Sequence, residues 1–320
     1  MTRKKYIIGT RGSKLALWQS EHVAAILKEK AGVDVELQII KTQGDKILDV
    51  ALAKIGDKGL FVKEIETALL EGEVDLAVHS SKDVPTQIPD GLVLGAFLKR
   101  ADPRDVLISK SGKGLDELPA GSVVGTSSLR RIAQVLNRRP NLRIKDVRGN
   151  LDTRLRKMEE GQFDAIILAA AGLDRMGWNQ GITERISSEV MLSAVGQGAI
   201  AVEVREGDED ILELMKHLED TKTRAAVTAE RALLRELEGG CQIPIGALGV
   251  VENEALKLDG MVANLDGSKL IRSRIEGEPK DADRLGTELA NKLKAMGADE
   301  ILAEVRTEAV CAPKPMHTNG

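Results

Sequence analysis

Apolar and polar positions along the first half of the chain follow two periods in alternation. Lys5–Gly9 is a short apolar run of strand length. From Ser13 to Lys30 the residues Leu15, Ala16, Val23, Ile26 and Leu27 recur at helical spacing. Val35–Ile40 reads as a second strand, Val62–Leu70 as a helix and Val74–His79 as a third strand. Strands alternating with helices predict a mainly parallel sheet covered by helices.

The pattern then repeats. Ile7-Ile8-Gly9-Thr10-Arg11-Gly12-Ser13 is similar to Val123-Val124-Gly125-Thr126-Ser127-Ser128, and Gly44-Asp45-Lys46 has a counterpart in Gly149-Asn150-Leu151. Glu71-Gly72-Glu73-Val74-Asp75-Leu76-Ala77-Val78 is similar to Glu160-Gly161-Gln162-Phe163-Asp164-Ala165-Ile166-Ile167. Two copies are too few for a solenoid. Three matches in the same order predict two similar α/β lobes facing each other across a cleft.

From about Thr221 the pattern changes. Arg224–Leu237 reads as a helix, and strands are predicted near Ala247–Val251, Leu256–Val262 and Lys269–Ile275, with Asn264-Leu265-Asp266-Gly267 as a hairpin turn. Asp281–Met296 reads as a final helix. The fold class is therefore α/β: two lobes around a cleft, plus a C-terminal α+β domain with a small antiparallel sheet. The expected division assigns 1–98 and 195–218 to the first lobe and 99–194 to an arginine-rich second lobe. The third domain is 219–310, and 311–320 is a disordered tail.

Composition narrows the chemistry. The 320 residues include only six aromatics, 2% of the chain, so cores must be built from Val, Ile, Leu and Ala. Base stacking on aromatic platforms is nearly excluded. Two cysteines, Cys241 and Cys311, make neither a disulfide framework nor a CxxC site. Four scattered histidines have no metal-ligand spacing, so no metal site is expected. No signal region and no apolar run of membrane-spanning length is visible, and the chain reads as cytoplasmic.

Charge is uneven. The whole chain carries −4, but residues 99–175 hold sixteen Lys and Arg against ten Asp and Glu, a net +6 that leaves −10 elsewhere. Such a basic middle suits either a polyanionic partner or a solvated face laced with ion pairs. Arg dominates the excess, and its planar fork fits a carboxylate two bonds at a time.

Three segments could carry chemistry. Gly9-Thr10-Arg11-Gly12-Ser13 and Gly125-Thr126-Ser127-Ser128 each stand where a strand turns into a helix, so backbone N–H groups and hydroxyls converge where anions bind. Helix capping by Ser13 and Ser128 accounts for the small residues but not for the flanking Arg11, Arg130 and Arg131. His79-Ser80-Ser81-Lys82-Asp83-Val84-Pro85 follows a strand directly, where open α/β sheets build their sites. Asp83 there either steadies a developing cation and relays protons, or simply pairs with Lys82 or caps a turn. Gly239-Gly240-Cys241 presents a thiol on a loop without showing it to be reactive.

Together these segments closely resemble the porphobilinogen deaminase family, from about Ile7 to Val305. Lys58-Gly59-Leu60-Phe61, Val147-Arg148-Gly149-Asn150, Ala171-Gly172-Leu173-Asp174-Arg175 and Gly239-Gly240-Cys241-Gln242-Ile243-Pro244 add to the match, in order and with the right gaps. The resemblance implies a transferase of tetrapyrrole (haem) synthesis that joins four porphobilinogen molecules head to tail. Each joining releases ammonia, and the product is hydroxymethylbilane. It implies two lobes like periplasmic binding proteins, and a dipyrromethane cofactor in thioether linkage to Cys241. It places the catalytic aspartate at Asp83. It assigns carboxylate binding to Arg11, Arg130, Arg131, Arg148, Arg154 and Arg175, with Ser13, Ser80, Thr126 and Ser128 as hydroxyl donors and Lys82 beside Asp83. Lys54 and Lys58 fall in a segment similar to the family's loop over the cleft. The expected partners are porphobilinogen and the growing pyrrole chain, with no nucleic acid and no membrane, and the chain is expected to act as a monomer. A two-lobed binder of small anions is the alternative, but it has no need of a loop-borne cysteine. A nucleic-acid binder fits the basic middle but not the acidic whole.

Overall fold

The computed structural model describes residues 5–46, 59, 61–237 and 243–311. The first lobe opens with β1 (Lys5–Thr10), α1 (Lys14–Ala31), β2 (Asp34–Ile39), α2 (Lys63–Leu70), β3 (Leu76–Ser80) and β4 (Leu92–Phe97). The chain then crosses to a second lobe built from β5 (Asp105–Ser109), β6 (Val123–Gly125), α3 (Leu129–Arg138), β7 (Arg143–Lys145), α4 (Leu151–Glu159), β8 (Ala165–Ala169), α5 (Ala170–Met176) and β9 (Glu184–Arg185). It returns through β10 (Ile200–Arg205) and α6 (Glu209–Met215) to the first.

The two sheets have one topology. Their strand orders are β2-β1-β3-β10-β4 and β7-β6-β8-β5-β9. The repeated segments occupy matching places: β1 corresponds to β6, and β3 to β8. Each sheet is mixed, not mainly parallel. β1 runs parallel to β2 and β3, and β6 to β7 and β8, whereas β10 and β5 are antiparallel to both their neighbours. The crossing explains this. A strand arriving from the other lobe enters at the edge where β3 and β8 end, so Ile200 pairs with Ser80 and Asp105 with Ala169. Such a strand can only run the opposite way. β5, β8 and β10 are buried nearly end to end, as strands covered on both faces must be.

The third domain holds α7 (Thr221–Glu236), the antiparallel sheet β11 (Ile245–Glu252), β12 (Ala255–Ala263) and β13 (Leu270–Gly277), and α8 (Ala282–Ala295). Its core cluster consists of Ala, Leu, Ile and Val alone, which is where the scarcity of aromatics shows most plainly. A further helix, α9 (Ala298–Cys311), follows the one expected to be last. Only Met296 and Gly297, the latter at φ +101°, separate the two, and buried Ile301, Leu302 and Val305 seat α9 on the domain. Cys311 thus ends a helix instead of opening a disordered tail; the rest of that tail, 312–320, lies outside the described residues. Among the described residues no helix is long and apolar enough to cross a membrane.

One helix ties the three bodies together. Glu230 of α7 is fully buried and accepts from the Gly196 and Gly249 amides at 2.6 and 2.7 Å. It also pairs with Arg100, which lies on the first crossing. Arg100 Nε in turn donates to Gln197 O, on the second crossing, at 2.8 Å. Both crossings and the third domain therefore meet on one carboxylate.

Candidate active site

The carboxyl ends of β1 and β3 open onto a cavity lined by Arg11, Ser13, Gln19, Phe61, Ser80 and Asp83, among others. Each residue is delivered by local structure. Ser13 caps α1 by accepting from the Ala16 amide at 3.3 Å, so here the capping and site readings coincide. Gln19, buried on α1, donates through Nε2 to Ser80 Oγ at 2.9 Å. The Arg11 guanidinium lies 4.1 Å from the centroid of the Phe61 ring, a cation–π contact that orients the cation without neutralising it.

Asp83 ends a one-turn helix, Ser81–Asp83, that begins where β3 stops. The Ser81 amide donates to Ala199 O at 3.0 Å, fixing the start of the turn to the second crossing. Lys82 and Asp83 are both exposed to the cleft. Protein crowding around the Lys82 ammonium lowers its pKa to about 8, with Asp83 pulling the other way and Arg131 adding to the fall.

The second lobe supplies the cations. Thr126 is buried, and its Oγ1 accepts from the Ser128 amide at 3.3 Å. The Ser128 hydroxyl makes no capping bond, unlike that of Ser13. Arg154 Nε donates to Gly149 O at 2.8 Å. Burial lowers the Arg154 pKa to about 10, and neighbouring Arg131 and Arg148 push the same way against Asp83. Arg175 Nη2 donates to Gly198 O at 2.8 Å, and its guanidinium lies 5.8 Å from the Trp18 ring, across the seam between the lobes. Burial lowers its pKa to about 10, with Asp174 opposing. Lys14 reaches Asp152 at 3.8 Å across the same seam.

Arg130 and Arg131 are placed differently from what a pair of exposed forks would require. Both are buried at the start of α3, and both pair with fully buried Asp105. Arg130 Nη1 donates to Asp105 Oδ2 and Leu192 O; Arg131 Nε and Nη2 donate to Asp105 Oδ1, and its Nη1 to Ile167 O. Gln197 Nε2 completes the set on Oδ1 at 2.9 Å. One donor is left over: Arg130 Nε is buried without an acceptor. Lys54, Lys58 and Cys241 lie outside the described residues.

Behind the floor of the cleft, His79 Nε2 lies 3.0 Å from Glu203 Oε2, both buried. Burial, and then Glu203, raise the pKa of nearby Glu66 to about 7. Sequence reasoning missed this group, together with Gln19, Phe61 and Asp105. For Gln19 the signal was a polar residue on the inward face of an apolar-striped helix. For Phe61 it was one of only six rings falling in a quoted motif. Asp105 carries no local signal.

The donor set suits a ligand with several carboxylates. Cations outnumber anions, one buried Nε lacks an acceptor, and the Ser128 hydroxyl is not spent on capping. A dipyrromethane, made of two porphobilinogen units, carries two acetates and two propionates, so the residues present fit it.

Comparisons with known proteins point the same way. Residues 6–213 match the model of the porphobilinogen deaminase, dipyromethane cofactor binding domain, and residues 224–295 that of the porphobilinogen deaminase, C-terminal domain. The chain is 55% identical to the porphobilinogen deaminase of Pelotomaculum thermopropionicum over 96% of its length and 98% of that protein. It is 56% identical to that of Desulforamulus reducens over 95% and 99%. Among solved structures, the second substrate binding domain of a putative amino acid ABC transporter from Streptococcus pneumoniae is similar at TM-score 0.43. The identity is 15%, covering 67% of this chain and 91% of that one.

Proposed function

The chain belongs to the porphobilinogen deaminase family, and we propose that Asp83, Cys241 and the cleft arginines divide its chemistry between them. The reaction joins four porphobilinogen molecules head to tail with release of ammonia and yields hydroxymethylbilane. The dipyrromethane, when bound, supplies the pyrrole on which the product is assembled. Cys241 is the attachment residue. Arg11, Arg131, Arg148, Arg154 and Arg175, with Ser13, Ser80, Thr126 and Ser128, hold acetate and propionate groups. Arg130 offers its spare Nε, and Lys82, Lys54 and Lys58 add positive charge.

The observation that carries the role of Asp83 is its place, among the described residues, as the sole acid lining the cavity shared by Arg11, Ser13 and Ser80. Loss of ammonia from porphobilinogen leaves a cationic azafulvene. An ionised carboxylate beside it stabilises that cation, and the same oxygens can take up and return protons at the pyrrole. We further read the protein as a cytoplasmic monomer that binds no nucleic acid. The acidic net charge speaks against nucleic-acid binding.

Intact mass and turnover test the assignment together. Active wild-type protein should exceed its sequence mass by two linked pyrrole units, and Cys241→Ala should lack the excess. Asp83→Asn should keep the excess and lose turnover by at least about a hundredfold. Near-normal turnover of Asp83→Asn refutes the role of Asp83, and bare sequence mass in active protein refutes the attachment.

A further inference from the structure

Three consecutive carbonyls follow Asp83, and all three point at one guanidinium. Arg231 Nη1 donates to Val84 O at 3.2 Å, and its Nη2 donates to Pro85 O at 2.6 Å and Thr86 O at 3.2 Å. Pro85 has no N–H, so this segment cannot hold itself through a strand ladder. Four residues before Arg231, on the same face of α7, Val227 packs in one buried cluster with Val84. The helix thus grips the segment twice, by apolar contact and by a hydrogen-bonded fork. Burial lowers the Arg231 pKa to about 10, with Glu203 opposing, so the cation is held at a cost that three carbonyl acceptors offset.

α7 has two other attachments. Glu230, the adjacent residue, fastens both crossings, and four positions after Leu237 the sequence reaches Cys241. The element that grips the Asp83 segment is therefore the one that runs into the cofactor loop. We propose that Arg231 is a positioning residue for Asp83: it locks the Val84–Thr86 segment to α7 and so fixes where the carboxylate stands in the cleft. The proposal rests on the roles given above to Asp83 and Cys241. It requires Arg and not merely a cation, because one ammonium cannot serve three carbonyls spread over a fork's width.

The test uses the cofactor-loaded protein and four variants: Arg231→Gln, Arg231→Lys, Asp83→Asn and the Asp83→Asn/Arg231→Gln double. Intact mass, thermal midpoint, kcat and KM for porphobilinogen are measured for each. Arg231→Gln should retain the two-pyrrole mass and lose kcat by about tenfold or more, with KM changed by less than about twofold. Arg231→Lys should recover part of that loss. The double variant should be no slower than Asp83→Asn alone, because a residue that works only by placing Asp83 has nothing left to place. Should Arg231→Gln fail to fold, Arg231→Lys carries the same kcat-against-KM comparison. A folded, loaded variant with kcat within about twofold of wild type overturns the proposal, whatever its thermal midpoint. So does a loss that multiplies on top of Asp83→Asn, or one confined to KM. Normal turnover of Asp83→Asn instead overturns the reading beneath it, and the two failures are distinguishable.

Discussion

Replacing Asp105 by Asn removes one negative charge and almost no volume from the most heavily committed carboxylate of the second lobe. Asp105 is 0% exposed, and Arg130 and Arg131 are 5% and 6% exposed, so water cannot take over from the lost charge. The Asn amide would aim N–H at guanidinium N–H on one side and leave a buried cation uncompensated. Removing one partner of a buried ion pair costs about 3–5 kcal/mol, and we expect a loss in that range for Asp105→Asn. Thermal unfolding of cofactor-loaded protein at neutral pH should show it as a midpoint lower by about 6 °C or more. The pH dependence follows from the direction of the pKa. Burial pushes the Asp105 carboxyl up, but Arg130 and Arg131 push it further down, so it is held well below the usual carboxylate range. A depressed carboxylate contributes stability above its unfolded pKa, near 4, and that stability is lost as pH falls through the folded value. The gap between wild type and variant should therefore be constant from about pH 5 to 8 and shrink only in acid. A loss under about 1 kcal/mol at neutral pH would show that Asp105 does not hold the arginine pair by charge.

Two further outcomes are expected. Glu66, raised from 4.5 to about 7 by burial and then by Glu203, favours the native state while protonated, so wild-type stability should fall as pH rises from about 4.5 to about 7 and level off above. Glu66→Gln should lose that slope and gain on wild type across that same window in urea midpoint; a parallel pair of curves would rule the titration out. Gly286 of α8 faces the backbone of α7 at Ala229 O and Leu233 N, where a Cβ cannot fit. Gly286→Ala should cost about 1–3 kcal/mol by overpacking despite better helix propensity, and unchanged denaturation would contradict the packing of these two helices.

What local chemistry could disclose, it disclosed. Ser13 before an apolar-striped helix, the glycine turns and the Asn264–Gly267 hairpin all act within a few residues of themselves. The repeat disclosed more, because matched strands β1 with β6 and β3 with β8 carry the same topology into both lobes. Strand direction was out of reach. Only the route of the chain between lobes makes β10 and β5 antiparallel to their neighbours. The helix beyond Gly297 was missed: the chain turns at Met296–Gly297 and then continues as a helix, and no local pattern tells such a corner from a helix end.

The site divides on the same principle. Arg130 and Arg131 stand 25 and 26 residues from the carboxylate that binds them, a distance no local pattern spans. The structure sorts the arginines into two kinds. Arg130 and Arg131 share Asp105, leaving a net of about one positive charge and one unsatisfied Nε between them. Arg154 and Arg175 are oriented by carbonyl oxygens, and Arg11 by a ring face. A carbonyl oxygen does not neutralise a guanidinium, so Arg154 and Arg175 keep their charge while losing freedom to move. The few aromatics matter in that light. Phe61 and Trp18 carry guanidiniums, Arg11 and Arg175, on their faces, which makes them supports for the groups that grip carboxylates. A cleft that must accept a lengthening chain of acetates and propionates needs cations held in place but left charged. Carbonyls and ring faces provide that, where a carboxylate partner for every arginine would have cancelled it.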